Sequence, residues 1–282
     1  MGILSHSRLF TSERHARDYY KKLRWMEEGL KCGCCSSRGL FELSDGRHEC
    51  RDCHNRFTDF TGTYLMNIKL NFRQVAGLVY LFCLEQSARR ASLELEVNYK
   101  TAYRFFERIR RAIARDDCVT GLSGEVEMDE TYVGGRRKGK RGRGAAGKVP
   151  VFGMLERAGK VVVEAVPDVK EKTLMALVTE NIEPGSLTYS DGFKSYRSLL
   201  VNGYEHVRID HDKEFANGKA HINGIEGFWS YAKERLAKYH GVSPRKLYLY
   251  LKELEFRFNN RQATDLFELI SSQLVKSLRF HG

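Results

Sequence analysis

No run of about 18 apolar residues occurs in the chain, so no membrane-spanning helix is expected. The N-terminus, M-G-I-L-S-H-S-R-L-F-T-S-E-R, has no long apolar core, and no secretory leader is expected from it. The cysteines number seven, an odd count, and four of them fall in paired C-x-x-C spacing. That pattern speaks against a disulfide scaffold and for metal ligation in a reducing compartment. One stretch, residues 134–148, contains no acid at all.

What is present is a basic chain of 282 residues with formal net charge +11 and a pI of about 9.3. The length allows two or three small domains with cores of their own. A positive balance favours a polyanionic partner, and nucleic acid is the first to consider.

In order along the chain, Ala16 to Glu28 reads as a polar helix with Tyr19, Tyr20, Leu23 and Met26 on one face and Gly29 as its stop. Cys32, Cys35, Cys50 and Cys53 follow, two C-x-x-C knuckles with fourteen residues between them. Each knuckle presents two thiolates to one tetrahedral ion, so a structural Zn²⁺ is expected, with no open position for catalysis. Cys34 and His54 are read as bystanders. Residues 71–86 read as a buried helix. Ser87–Leu95, a turn over Glu96–Asn98, and Tyr99–Ile113 have helix-turn-helix spacing. The second helix carries Lys100, Arg104, Arg108, Arg110 and Arg111. It is either a recognition helix for double-stranded DNA or a solvated basic helix in a small bundle.

From Gly124 the character changes. E-V-E-M-D-E-T-Y-V alternates like a strand and puts Glu125, Glu127 and Asp129 on one face. Acids are poor strand residues, so this is either an exposed edge or a metal-binding strand. Residues 134–148 then hold seven bases, among them Arg136, Arg137, Lys138, Lys140, Arg141 and Arg143, and six glycines. Outside that loop, residues 125–282 carry nineteen bases and twenty-one acids, so the loop supplies the local positive field. A flexible basic loop neutralises phosphates without reading bases. Strands are expected over Val149–Arg157 and Lys160–Val169, joined by a hairpin at Ala158-Gly159. A helix over Glu171–Ile182 and a strand over Ser186–Tyr189 follow, the strand running into S-D-G-F. Asp191 thus stands at a strand end, where crevices form in α/β sheets, although Asp-Gly is also an ordinary turn. Phe193–Leu200 reads as a short helix and Glu205–Ile209 as a strand.

H-I-N-G-I-E-G-F-W-S-Y-A-K, His221 to Lys233, opens an amphipathic helix. Its buried stripe is Ile225, Phe228, Trp229, Ala232, Leu236 and Tyr239. Glu226 and Lys233 lie two turns apart on the flank of that stripe, either a surface ion pair or one wall of an active site. Helices over Ser243–Arg261 and Thr264–Leu278 are expected to cover the sheet or to mediate self-association.

The motifs M-D-E-T-Y-V-G-G, Y-S-D-G-F and H-I-N-G-I-E-G-F-W-S-Y-A-K, in this order, resemble those of DDE transposases of the ISXO-like insertion-sequence type, relatives of eukaryotic Merlin elements. The resemblance spans essentially the whole chain. It implies a multidomain α+β protein: N-terminal helix and zinc ribbon over 1–62, helix-turn-helix DNA-binding domain over 63–120, ribonuclease-H-like α/β mixed-sheet catalytic domain over 121–242, and C-terminal helices over 243–282. It implies that Asp129, Asp191 and Glu226 hold two Mg²⁺ or Mn²⁺ ions and that Lys233 touches DNA near the reacting end. The implied partners are transposon ends and target DNA, in a homodimer or higher synaptic assembly. The implied location is the bacterial cytoplasm near the nucleoid, or the nucleus in a eukaryote. Two rivals stay open: a nuclease of this fold that does not join strands, and a catalytically silent DNA-binding regulator.

Overall fold

Five strands form the mixed sheet on which the acidic motifs lie. In the computed structural model, which describes residues 3–26, 29–116, 121–134, 148–191, 198–209 and 221–278, the chain divides into two units. One comprises Met1–Asp116 with Ala263–Gly282, the other Asp117–Gln262.

In the second unit, β4 (Glu125–Val133), β5 (Val149–Glu156) and β6 (Val161–Ala165) form an antiparallel meander. β7 (Leu187–Asp191) and β8 (Glu205–Ile209) continue the sheet parallel to β4. The strand order is β6-β5-β4-β7-β8, which puts β4 at the centre with β7 beside it. Ala158 at the expected β5–β6 hairpin has φ +58°. The strand expected over Lys160–Val169 ends at Ala165, before Pro167, which has no N–H to give a ladder.

Both faces of the sheet are covered, as the parallel half requires. On one face Val126, Met128, Phe152, Met154 and Val162 pack with Leu174 and Val178 of helix α6 (Glu171–Asn181). On the other, Val151, Leu155, Val163 and Tyr189 pack with α7 (Asn223–Ala237) and α8 (Pro244–Asn259). α7 buries Ile225, Phe228, Trp229, Ala232 and Leu236, the expected stripe, with Tyr239 packed against the same cluster. Each large apolar side chain so buried gains about 1.5–3 kcal/mol over exposure to water. α8 also closes the open edge at β6. Glu255 accepts the Val163 N–H at 2.8 Å, and Asn259 bonds the N–H and C=O of Val161 at 2.8 and 2.9 Å. An edge strand with its backbone so occupied cannot recruit another chain.

In the first unit, α1 (Ser7–Thr11) leads into α2 (Glu13–Trp25), capped by Ser12. Met26, expected on one helix face with Tyr19, Tyr20 and Leu23, is 59% exposed, because the helix has ended at Trp25. Three short antiparallel strands follow, β1 (Leu40–Glu42), β2 (His48–Cys50) and β3 (Arg56–Phe57). α3 (Phe72–Cys83) opens with a reciprocal Asn71–Gln74 capping box. The Glu13 carboxylate accepts the N–H groups of Phe72 and Arg73 at the same helix end. Ser87 caps α4 (Ala88–Glu94), Glu96 turns the chain at φ +52°, and α5 (Tyr99–Asp116) begins with Asn98 accepting the Lys100 N–H at 2.8 Å.

The last two helices belong to different units. α8 packs on β6, whereas α9 (Leu266–Val275) packs among α2, α3 and α5. The segment 243–282, expected as one C-terminal piece, is divided for a physical reason. Residues of α8 satisfy the sheet edge, whereas Phe267, Ile270 and Leu274 of α9 are buried in the first unit. Among the described residues no helix is long and apolar enough to cross a membrane.

Candidate active site and metal centre

The register of the two central parallel strands brings the first two acids together. Glu127 of β4 stands opposite Tyr189 of β7. Two residues further along each strand, on the same face, are Asp129 and Asp191. Asp129 also pairs across β5 with Gly153. A Cβ there would lie 2.5 Å from the Trp229 ring, so glycine leaves the space in which α7 approaches the sheet beside Asp129. Glu226, in the first turn of α7, is exposed.

Asp129 senses both of the other acids. Burial, then the nearby charges of Asp191 and Glu226, push Asp129 up to about 6, against partial relief from the Glu130 N–H. The Trp229 Nε1–H is buried without a hydrogen-bond partner and lies close enough to Asp129 to favour its charged form. Three hard oxygen donors of like charge fit a divalent cation. Their oxygens are not as tightly gathered as the cysteine sulfurs are. Among the described residues, Cys32, Cys35, Cys50 and Cys53 are the one set of His, Cys, Asp or Glu ligand atoms close enough together to share an ion.

The other two acids on that face of the strand have a different task. Glu127 is buried and pairs with Arg157 at 3.0 Å; Glu125 pairs with Arg157 and accepts the Tyr189 hydroxyl at 2.8 Å. The acid-loaded face of β4 is thus one carboxylate facing the site and two neutralised by an arginine. Sequence reading missed Arg157. Its position just after β5, across from the acids of β4, was the available signal.

The four sulfurs all lie within 4.8 Å of one another, with Cys32–Cys53 at 3.6 Å and Cys35–Cys50 at 3.5 Å. A tetrahedral Zn²⁺ at about 2.3 Å from each sulfur sets them about 3.8 Å apart, so the donors fit that ion. Cys32 and Cys50 are buried against Phe57, and Cys34 is outside the cluster. Desolvation raises the Cys32 thiol, but the N–H groups of Cys35 and Cys34 and the neighbouring thiols outweigh it and bring it down to about 6. Cys50 is lowered too, chiefly by the Cys53 N–H, whereas Cys35 and Cys53 are raised by hydrogen bonds to the neighbouring thiols, so the four share their protons.

Of the basic residues, Lys100 and Arg104 on α5 and Lys233 on α7 are exposed. Glu226 and Lys233 form no ion pair with each other among the described residues. Arg108 is engaged within the fold, donating to the carbonyls of Tyr64 and Met66 at 2.9 and 3.2 Å. Arg136, Arg137, Lys138, Lys140, Arg141 and Arg143 lie outside the described residues, as does most of the helix expected over Phe193–Leu200.

Residues 121–259 match the model of the ISXO2-like transposase domain. A protein in transposable element ISH50 of Halobacterium salinarum is 31% identical over 271 residues, 88% of this chain and 91% of that protein. The chain belongs to the ISXO2-like transposase family. A transposase-like protein of Haemophilus influenzae is 41% identical over 117 residues, 42% of this chain and 94% of its own length. Among solved structures, the Mos1 strand transfer complex matches at 13% identity over 72% of this chain and 78% of that one, with a TM-score of 0.24. At that score no residue correspondence is drawn. The ISXO2-like segment contains Asp129, Asp191 and Glu226, and also Glu127 and Arg157. Both acid–arginine pairs are internal to the matched domain.

Proposed function

We propose that this ISXO2-like protein is a metal-dependent DNA transposase. It binds the terminal inverted repeats of its element, hydrolyses phosphodiesters there and joins the 3′-hydroxyl ends to target DNA. The observation that carries the reading is the alignment of Asp129, midway along β4, with Asp191, the last residue of the parallel neighbour β7, with the first turn of α7 bringing Glu226 into electrostatic reach. An antiparallel β4-β5-β6 meander extended by parallel β7 and β8 supports a ribonuclease-H-like catalytic domain.

Asp129, Asp191 and Glu226 would hold two Mg²⁺ or Mn²⁺ ions, which supply activation of a water or 3′-hydroxyl and neutralisation of the leaving oxygen. The protein's own part is positional. β4 and β7 present two acids in register, and α7, pinned by its apolar stripe, presents the third. Exposed Lys233, two turns beyond Glu226, offers a cation to a backbone phosphate. In the other unit, Cys32, Cys35, Cys50 and Cys53 form a zinc ribbon. α4, the Glu96 turn and α5 form a helix-turn-helix with Lys100 and Arg104 toward DNA. The basic loop over 134–148 adds phosphate contacts that read no sequence. A dimer or larger synaptic assembly handles two transposon ends together.

The test is Asp191→Ala in purified protein with Mg²⁺ and a terminal-repeat duplex. Strand cleavage is lost and repeat binding persists. Undiminished cleavage overturns the mechanism. A strand-transfer assay from a pre-cut end separates transposase from simple nuclease.

A further inference from the structure

Helix α7 starts badly by its own sequence. Its N-cap residue is Ile222, which has no side-chain oxygen to give the first-turn N–H groups. The missing acceptor comes from the sheet. Oε2 of Glu127, on β4, accepts the Ile225 N–H at 2.9 Å. Gly224 makes the approach possible, since a Cβ there would stand 2.8 Å from that oxygen. Glu127 is 1% exposed, a position where an unpaired carboxylate is strongly disfavoured. Its Oε1 is held by Arg157 Nε at 3.0 Å. The same guanidinium donates to the His221 carbonyl at 2.6 Å and to Glu125, and lies 3.9 Å from the Tyr189 ring centroid. Residues of β4, β7 and the end of β5 thus grip the chain from His221 to Ile225. The next residue is Glu226.

We infer that Glu127, held by Arg157, is a positioning residue for the reaction: it caps α7 from β4 and so sets Glu226 relative to Asp129. The inference rests on the proposed metal-dependent reading of that site. Both oxygens of Glu127 are engaged, so it orients a ligand and is not one. Without the cap the first turn of α7 frays, Glu226 samples more positions, and ion binding weakens while binding to terminal-repeat DNA stays.

The full-length protein tests this with Mn²⁺ as probe, bound ion being read from loss of the free-ion EPR signal, alongside strand cleavage and thermal melting. Glu127→Gln keeps an oxygen for the Ile225 N–H, and its half-saturating Mn²⁺ stays within about threefold of wild type. Glu127→Leu removes the cap, and half-saturation for both binding and cleavage moves up about five- to tenfold, with cleavage recovered at high Mn²⁺ and repeat binding unchanged. Should Glu127→Leu not fold, Gly224→Ala pushes on the same oxygen and shows a shift in the same direction. A folded Glu127→Leu or Gly224→Ala protein with wild-type Mn²⁺ half-saturation overturns the inference. So does Glu127→Gln behaving like Glu127→Leu, which makes the carboxylate itself a ligand. Asp191→Ala separates the two levels. If it binds Mn²⁺ as wild type does, the metal site is misassigned. If it loses Mn²⁺ while the Glu127 variants keep it, only the positioning role falls.

Discussion

Asp129 is held where its charge is costly: desolvated in the middle of β4 and near two more acids. Its folded-state pKa of about 6 lies above the ordinary aspartate value of 3.8. Between those values the folded protein binds more protons than the unfolded chain. Without added divalent cation, this contribution favours folding at low pH and is lost as pH rises through about 6. A shift of about two units corresponds to about 3 kcal/mol. Asp129→Asn is therefore expected to stabilise the protein by about 1–3 kcal/mol at pH 8 and to flatten the pH dependence between about 4 and 6. Urea denaturation across that range checks both. A variant less stable than wild type at pH 8 contradicts the electrostatic account.

At the scale of elements, α7 is placed by a void and by a cap. Gly153, paired with Asp129, gives up its side chain to the Trp229 ring. Gly153→Ala is expected to lower stability by about 1–3 kcal/mol through overpacking, read as a drop in melting temperature. An unchanged melting temperature would show that α7 does not rest there. Asn259→Ala removes both hydrogen bonds to Val161 at the β6 edge and is expected to cost about 1–3 kcal/mol, measured in the same way. Most of these elements were legible in the sequence because their signals are local. Alternation marks β4, the Ala158-Gly159 hairpin marks the end of β5, the apolar stripe marks α7, and Ser87 and Glu96 bracket α4. The C-x-x-C knuckles announce their cluster by spacing alone. What the sequence did not disclose depends on partners distant along the chain. Glu127 meets Arg157 thirty residues away and Ile225 ninety-eight away. No local pattern distinguishes such a buried, paired acid from Asp129, two positions on.

At the scale of the whole chain, the C-terminal segment returns to the N-terminal unit, and nothing in its periodicity announced this. α9 buries Phe267, Ile270, Leu274 and Val275 there. His6 pairs with Asp265 at 3.0 Å, Ser271 lies 3.4 Å from the Tyr20 hydroxyl, and the Tyr64 N–H bonds the Leu274 carbonyl at 3.1 Å. Four apolar side chains at about 1.5–3 kcal/mol each approach the entire stability of a domain, about 5–15 kcal/mol. Deleting residues 263–282 is therefore expected to unfold the helical N-terminal unit and abolish binding to terminal-repeat DNA. Unit Asp117–Gln262, whose sheet edge is closed by α8, keeps its fold and its Mn²⁺ binding. Limited proteolysis of the truncated chain then leaves a resistant fragment close to 117–262, while wild type also protects the first unit. If the four cysteines hold zinc as proposed, chelating it from the intact protein strikes the same unit by another route, since they lie in it. It should weaken repeat binding without removing α9. If the truncated protein binds repeat DNA as tightly as wild type, α9 is dispensable to the unit it packs in, and Met1–Asp116 folds without it.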